Sequence, residues 1–341
     1  MKKQSGSEMQ SNVTRRINMR KLRHVLMARQ KATKPELAQI TGLSVVTVNA
    51  LITRMLEWGE VTEEGTVPSN GGRPCAQFAY HYGFRKAVIV CAHQERGKTV
   101  LRTFVTDLSG KRLWERRDVK EEIAIDSFDE AIDEATRLFP DALLIAFGLP
   151  GEAWQDEVSI CDFQTLTGTE FLPRIRERYQ LPVLFENDIN AMVYGFGVGP
   201  GHSPFEPLAG IYFPGNYRPG AGILIGGRLF YGTEHFAGEI GELPVPFLWE
   251  ELDYGNEEQV EEQLTALLLT VCCLIAPKEI VLYGEFVTDA LAGRLEDVLA
   301  GRLKRSFRTK VTASYSLQED FEKGMTGLAV REMESRMDDL A

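Results

Sequence analysis

Residues 33–58 read TKPELAQITGLSVVTVNALITRMLEW, and the spacing in that stretch allows few folds. Thr33 stands three residues before Glu36, a reciprocal pair that caps a helix start, with Pro35 in the tolerated first turn. Leu37, Ala38 and Ile40 supply an apolar face, Gly42 takes the position where a left-handed residue ends a helix, and Ser44 caps a further helix running to about Trp58. Ala38, Gly42 and Val48 lie four and six residues apart. A small residue lets two helices cross closely, a glycine makes the tight turn, and a branched apolar residue locks one helix on the other. That is the pattern of a helix-turn-helix. Ile17, Leu22, Val25 and Leu26 predict a preceding helix over 16–29, and GEVTEEGTV at 59–67 reads as a hairpin wing with Glu64-Gly65 at its tip.

In the helix after Ser44, the residues Val48, Leu51, Ile52, Met55 and Leu56 are expected to face inward. Ser44, Val45, Val46, Thr47, Asn49, Ala50, Thr53 and Arg54 are left outside. Exposed Val45, Val46 and Ala50 make little sense in water, but they can meet thymine methyls in a major groove. Any one of Asn49, Thr53 and Arg54 can instead touch phosphate alone, or nothing. Charge supports a double-stranded DNA partner: the net −11 divides into +6 over residues 1–80 and −17 over the rest. The alternative is a helical bundle that only mediates dimerisation.

A chain of 341 residues, 44% of them hydrophobic, has the length for two or three domains with full cores. No apolar run approaches the roughly 20 residues that cross a bilayer, and MKKQSGSEMQSNVTRR lacks a signal-like apolar segment. Five scattered cysteines without a C-x-x-C pair read as reduced thiols, so a cytoplasmic chain with no membrane contact is expected. From residue 86 strands alternate with helices: KAVIVCAHQ and KTVLRTFVTDLSGKRL as paired strands, an amphipathic helix over 126–139, a buried strand over 142–151, and PVLFENDINAMVYGFG as a strand opening into a helix. LAGIYF, GAGILIGGRLF, a long helix and EIVLYG repeat the theme. Glu186-Asn187-Asp188 follows VLF at a strand's C-terminal end, where ligand groups gather in such sheets. The bland reading is that Asn187 and Asp188 merely cap the next helix.

A winged helix followed by Ser-x-Gly-Gly-Arg-Pro, here Ser69 to Pro74, resembles the ROK family of repressors and sugar kinases. The resemblance implies an N-terminal all-α/winged-helix domain plus an α/β actin-like (ribonuclease H-like, sugar-kinase) domain of two lobes. The division expected is 1–67 for the head, 68–84 for a linker, and 85–195 and 196–341 for the lobes, with Arg73 assigned to DNA. Carried over residue by residue, it assigns Asn187 and Asp188 to sugar hydroxyls, Asp188 as the vestigial catalytic base. The GGRLFYGTEHFAGEIGELPV stretch matches the family's Gly-Glu-Ile-Gly signature, which puts Glu239 on the sugar, with Gly151 and Glu242 nearby.

The departures are as informative. The zinc-ligating His of the signature is replaced by Glu242, and no cysteine loop follows, so no metal is expected. Phe247, Leu248 and Trp249 are expected to hold that loop by packing instead. CAHQERGKT lacks the acidic-glycine pair of the first phosphate loop, FPGNYRPGAG departs from the second, and LYGEF lacks the double glycine. Without backbone donors and a metal carboxylate there is little to hold ATP, so no cofactor and no kinase activity are expected. The resulting expectation is a DNA-binding transcriptional regulator, a homodimer or dimer of dimers on a palindromic operator, whose body senses a sugar or sugar phosphate. A regulator whose body binds no small molecule is the alternative, and a sugar kinase the less favoured one.

Overall fold

In the computed structural model, which describes residues 2–68, 74–95, 98–214, 218–244, 249, 252–303 and 308–340, a basic head leads into two α/β lobes. The head comprises α1 (Lys2–Arg29), β1 (Lys31–Thr33), α2 (Lys34–Thr41), α3 (Val45–Trp58), β2 (Val61–Val67) and β3 (Cys75–Tyr80). Both predicted caps form. The Thr33 side chain accepts from the Glu36 amide while the Glu36 carboxylate accepts from the Thr33 amide at 2.7 Å, and Ser44 Oγ accepts from the Thr47 amide at 3.1 Å. Gly42 sits at φ 71°, its N–H on the Ala38 carbonyl, and the chain bends by 117° between α2 and α3. Met19, Leu22, Leu26, Leu37, Val48, Leu51, Ile52 and Met55 are buried together. Ile17 and Ile40, expected inside, are exposed. The 3.6-residue stripe is wide enough to reach both positions, but no element among the described residues covers them.

The wing differs from the expected hairpin. β2 runs unbroken through Glu64-Gly65, which form a bulge with Gly65 at φ 93°, and its partner is β3, in the sheet order β1-β3-β2. Cys75–Tyr80, expected in the linker, is therefore the central strand of the head's sheet. A bulge and a turn use the same glycine conformation, so the residues at 64–65 do not distinguish them.

The first lobe holds β4 (Lys86–Glu95), β5 (Lys98–Asp107), β6 (Arg112–Lys120), α4 (Asp129–Leu138), β7 (Ala142–Leu149), the hairpin β8 (Gly151–Trp154) and β9 (Glu157–Cys161), α5 (Phe171–Tyr179) and β10 (Val183–Asn187). Its sheet order is β10-β7-β4-β5-β6, parallel across β10, β7 and β4 and antiparallel beyond. Alternation along β4 splits the core. Val88 and Val90 pack toward α4 and α5 around Phe128, Phe147 and Phe171, whereas Ala87, Ile89 and Cys91 face the opposite layer.

The second lobe follows with α6 (Asp188–Gly197), β11 (Leu208–Tyr212), β12 (Gly220–Ile225), β13 (Arg228–Leu229), α7 (Glu257–Ile275), β14 (Glu279–Tyr283), α8 (Asp289–Leu303), β15 (Lys310–Ala313) and α9 (Leu317–Leu340). Its order, β13-β12-β11-β14-β15, repeats the mixed pattern of the first sheet. Leu264, Leu268, Leu295 and Leu299 of α7 and α8 bury against Ile211, Ile280 and Leu282, each worth roughly 1.5–3 kcal/mol of apolar transfer. Trp249 joins this core; Phe247 and Leu248 lie outside the described residues.

The lobe expected to run from 196 to the C-terminus does not own α9. That helix returns to the first lobe and the head, with Phe321, Met325, Ala329, Met333 and Met337 in one cluster with Ile89, Leu144, Ala146, Met19 and Leu26. It crosses α6 so closely that a Cβ on Gly195 would stand 1.9 Å from the Asp320 carbonyl oxygen, and one on Gly324 1.8 Å from that of Ala191. Arg23 of α1 then pairs with both Glu60 and Asp338, tying the end of α9 to the head.

Candidate functional site

Two surfaces gather the residues singled out from sequence. On the outer face of α3, Ser44, Val45, Val46, Asn49, Ala50 and Thr53 are all exposed, Val46 at 80% and Val45 at 57%, while Thr47 and Arg54 are half-buried. Thr47 is held by the Ser44 cap, and Arg54 lies over the Trp58 ring at 4.7 Å. Asn49 Oδ1 accepts from Lys34 of α2, and Thr53 Oγ1 donates to the Asn49 carbonyl at 2.9 Å. The buried set is Val48, Leu51, Ile52 and Met55; Leu56, also expected inside, is half-buried against the same core. An exposed helix face carrying two valines, an alanine, hydroxyls, an amide and an arginine has the size and chemistry to enter a major groove. Arg73 lies outside the described residues.

The second surface is a cleft where β7 and β10 end. Gly151, buried, opens β8 beside it, and Asn187 caps α6 through its side-chain oxygen on the Ile189 and Asn190 amides. The Asn187 amide nitrogen donates to the Gly151 carbonyl at 3.1 Å. Both ends of that amide are thus engaged within the chain. Asp188 Oδ1 accepts from the Ile189 amide at 2.7 Å. Burial, with the charge of Asp162 nearby, pushes Asp188 up to about 7, and burial takes Asp162 itself to about 6. A carboxyl titrating near neutrality is chemically able to accept a proton from a hydroxyl.

Glu239 closes the cleft from the other lobe. The AGEIGE stretch is shaped by Gly238, at φ 110°, where a Cβ would lie 1.9 Å from the Ala221 carbonyl oxygen; the Ala221 amide donates to the Gly238 carbonyl at 2.8 Å. The loop is thereby pinned to β12. Burial raises Glu239, and Glu152 of β8, which shares a hydrogen bond with it, is pushed up to about 8 by burial and the charges of Glu239 and Glu186. Glu186, 4% exposed, accepts from the Tyr231 hydroxyl at 2.6 Å and is lifted by burial to about 7. Glu242 stands at the edge of this group: its charge adds to the rise of Glu239, but its side chain is exposed and accepts from Arg218 at 2.7 Å.

An aromatic wall, absent from the sequence reading, faces these carboxyls. The His235 ring stacks on Tyr231 at 4.5 Å and meets Trp154 edge-on at 5.1 Å. Glu234 and His235 both adopt left-handed backbone, φ 51° and 62°, a costly conformation for residues with side chains and one that clusters at functional sites. The sequence signal for this wall was slight: three aromatic residues in two segments 77 residues apart, joined by tertiary structure alone. Elsewhere, Phe213 and Gly284–Phe286, from two of the segments compared with the family's phosphate loops, pack against one another. Phe213 meets Phe286 at 5.3 Å, Phe286 stacks on Tyr254 at 4.6 Å, and a Cβ on Gly284 would touch both Phe213 and Phe286. Among the described residues no group of three or more His, Cys, Asp or Glu is arranged to hold a metal ion.

The family model that matches is described as the ROK family and covers residues 94–258. The chain is 23% identical over 254 residues to the xylose repressor of Bacillus subtilis (strain 168), a match spanning 71% of this chain and 64% of that protein. It is 25% identical over 253 residues to a putative xylose repressor of Caldicellulosiruptor sp. (strain Rt8B.4), spanning 71% and 62%. The match therefore spans less than two thirds of these relatives' length. Among solved structures, a ROK family transcriptional regulator, a homologue of the E. coli MLC protein, superposes with a TM-score of 0.67 over 97% of this chain and 100% of that one, at 13% identity. A ROK family glucokinase from Streptomyces griseus, in complex with glucose and AMPPNP, gives 0.56 over 72% and 99%, at 18% identity. These structural likenesses are likenesses of fold. The part of the chain that matches the ROK family model, residues 94–258, follows a winged helix-turn-helix head.

Proposed function

We propose that this protein is a DNA-binding transcriptional regulator, a repressor by its kinship, in which a dimer sets two α3 helices in successive major grooves of a palindromic operator. The observation that carries the reading is the outer face of α3, where Val45, Val46 and Ala50 are left to solvent beside Asn49, Thr53 and Arg54 on a basic head. The relatives named as xylose repressors support it. Fluorescence anisotropy with duplexes from upstream of the gene tests it: binding should fall steeply with salt, because lysine and arginine displace counterions from phosphate. Salt-independent binding, or none, counts against it.

The cleft is the proposed effector site. Asp188, Glu239 and Glu152 offer acceptors to sugar hydroxyls, and Trp154 with His235 offers an aromatic face for the sugar's C–H side. So many carboxyls disfavour a phosphate, so a neutral sugar such as a pentose fits the cleft better than a sugar phosphate. Ligand and operator then bias one two-state equilibrium through their differential affinities. Kinase activity is not part of the proposal, since aromatic packing fills the ground between the loops at 213 and 284–286; an ADP-release assay with common hexoses, pentoses and amino sugars would overturn that by showing turnover. A second reading, a body without any small-molecule ligand, is favoured by the Asn187 amide being engaged at both its oxygen and its nitrogen within the chain.

A further inference from the structure

Where α1, the end of α3, the chain after β3 and the end of α9 meet, they line a half-open pocket of about 280 Å³ walled by Arg23, Trp58, Glu60, Phe84, Arg85 and Met337. It lies at the junction of head and body, among elements different from those of the carboxyl-lined cleft. Its walls are two aromatic rings and a methionine, a lining suited to a flat apolar body.

The charges of the lining are unequally engaged. Glu60, fully buried, accepts from Arg23 at both carboxylate oxygens, and Arg23 also reaches Asp338, so that set is internally compensated. Arg85 stands apart. Its guanidinium lies over the Phe84 ring at 4.4 Å, and its Nε is shielded from solvent with no hydrogen-bond partner among the described residues. The hydroxyl of Tyr80, a residue 5% exposed and close to Glu60 and Arg23, is likewise unpartnered among them. Buried polar groups are nearly always satisfied, and the unpartnered Nε of Arg85 in this lining points to an acceptor supplied from outside the chain. Arg85 pairs with no carboxylate among the described residues, which calls for an anion, and the planar fork of a guanidinium pairs best with a carboxylate.

We infer that this cavity binds a small planar carboxylate, its ring held among Trp58, Phe84 and Met337 and its carboxylate on Arg85. The volume, at the low end for ligand sites, suits an acid of one or two rings. The ligand touches Trp58, whose ring carries Arg54 of the outer α3 face, so occupancy bears directly on how the recognition helix is held. This second consequence rests on the DNA-binding reading; the binding itself does not.

The test uses the full chain with benzoate, 2-naphthoate and the neutral benzamide as probes, read by calorimetry and by tryptophan fluorescence. At least one of the two acids should bind saturably and raise the thermal midpoint, with benzamide at least tenfold weaker than benzoate if benzoate is the better acid. Arg85→Gln, which removes no ion pair among the described residues, should keep its unliganded midpoint and lose the acid at least tenfold, while Arg85→Lys recovers part of it. Failure of both acids to bind, benzamide binding as tightly as the acids, or undiminished binding by Arg85→Gln would each overturn the inference. Acid binding in a protein that ignores every duplex would leave this site standing and remove the proposed function instead.

Discussion

Replacing Arg23 by methionine tests how the head is fastened to the body. Arg23 is 2% exposed and Glu60 0%, and the two share a bidentate contact, so the substitution leaves a fully buried carboxylate without its cation. Removing one partner of such a pair costs about 3–5 kcal/mol, whereas replacing both by apolar groups of similar volume is close to neutral. Asp338 also loses Arg23, but at 21% exposure it keeps contact with water and adds less than about 1 kcal/mol. Arg23→Met should therefore lower the unfolding free energy by about 3–5 kcal/mol in urea titrations followed by circular dichroism, and Arg23→Met/Glu60→Leu should regain all but about 1 kcal/mol. A loss below about 1 kcal/mol, or a double variant no better than the single one, would refute the assignment of Arg23 as the compensating charge.

Gly238→Ala forces a Cβ onto the Ala221 carbonyl at a backbone angle side chains avoid; a loss of about 2–4 kcal/mol in the same titration is expected, and an unchanged midpoint would contradict the pinning of the loop. The carboxyls of the cleft predict a falling stability curve: Glu152 at about 8, Glu186 and Asp188 at about 7 hold protons in the folded state that the unfolded chain releases near pH 4–5, so stability present at acid pH is lost as pH rises toward 8, and Glu152→Gln should flatten that slope in thermal melts between pH 5 and 8.5. Val46→Asp, at a position 80% exposed, should leave the melting temperature within a degree or two yet weaken duplex binding at least tenfold in anisotropy titrations.

The head was legible because its signals are local. A capping box, a left-handed glycine and a second cap within twelve residues, Thr33 to Ser44, each act on neighbouring backbone, and all three formed. The wing was misread because Gly65 serves a bulge as well as it serves a turn, and the choice depends on a strand ten residues further on. In the body the strand-and-helix alternation and the cleft position of Asn187, Asp188 and Glu239 could be read, the last by family resemblance. What stayed hidden was tertiary. Tyr231, His235 and Trp154 meet from two distant segments, Glu242 turns outward to Arg218, and α9, which shows little segregation of polar from apolar faces, has its partners on five different elements, α1, α6, β4, β7 and β10, so no single stripe announces them.

The docking of α9 on the head also has a bearing on how the protein is made. The ion pair that closes on Arg23 draws its second acid from Asp338, 258 residues beyond Tyr80, where the head's sheet is complete. At a synthesis rate of about 5–20 residues per second, that interval lasts roughly 13–50 s. Throughout it the nascent head carries a buried-to-be arginine and the α1 methionine layer without the helix that finally covers them. A chain interrupted before residue 338 would thus release a head with its caps and sheet in place and its last lock unmade, a natural substrate for chaperones and proteases rather than a half-working copy of the finished molecule.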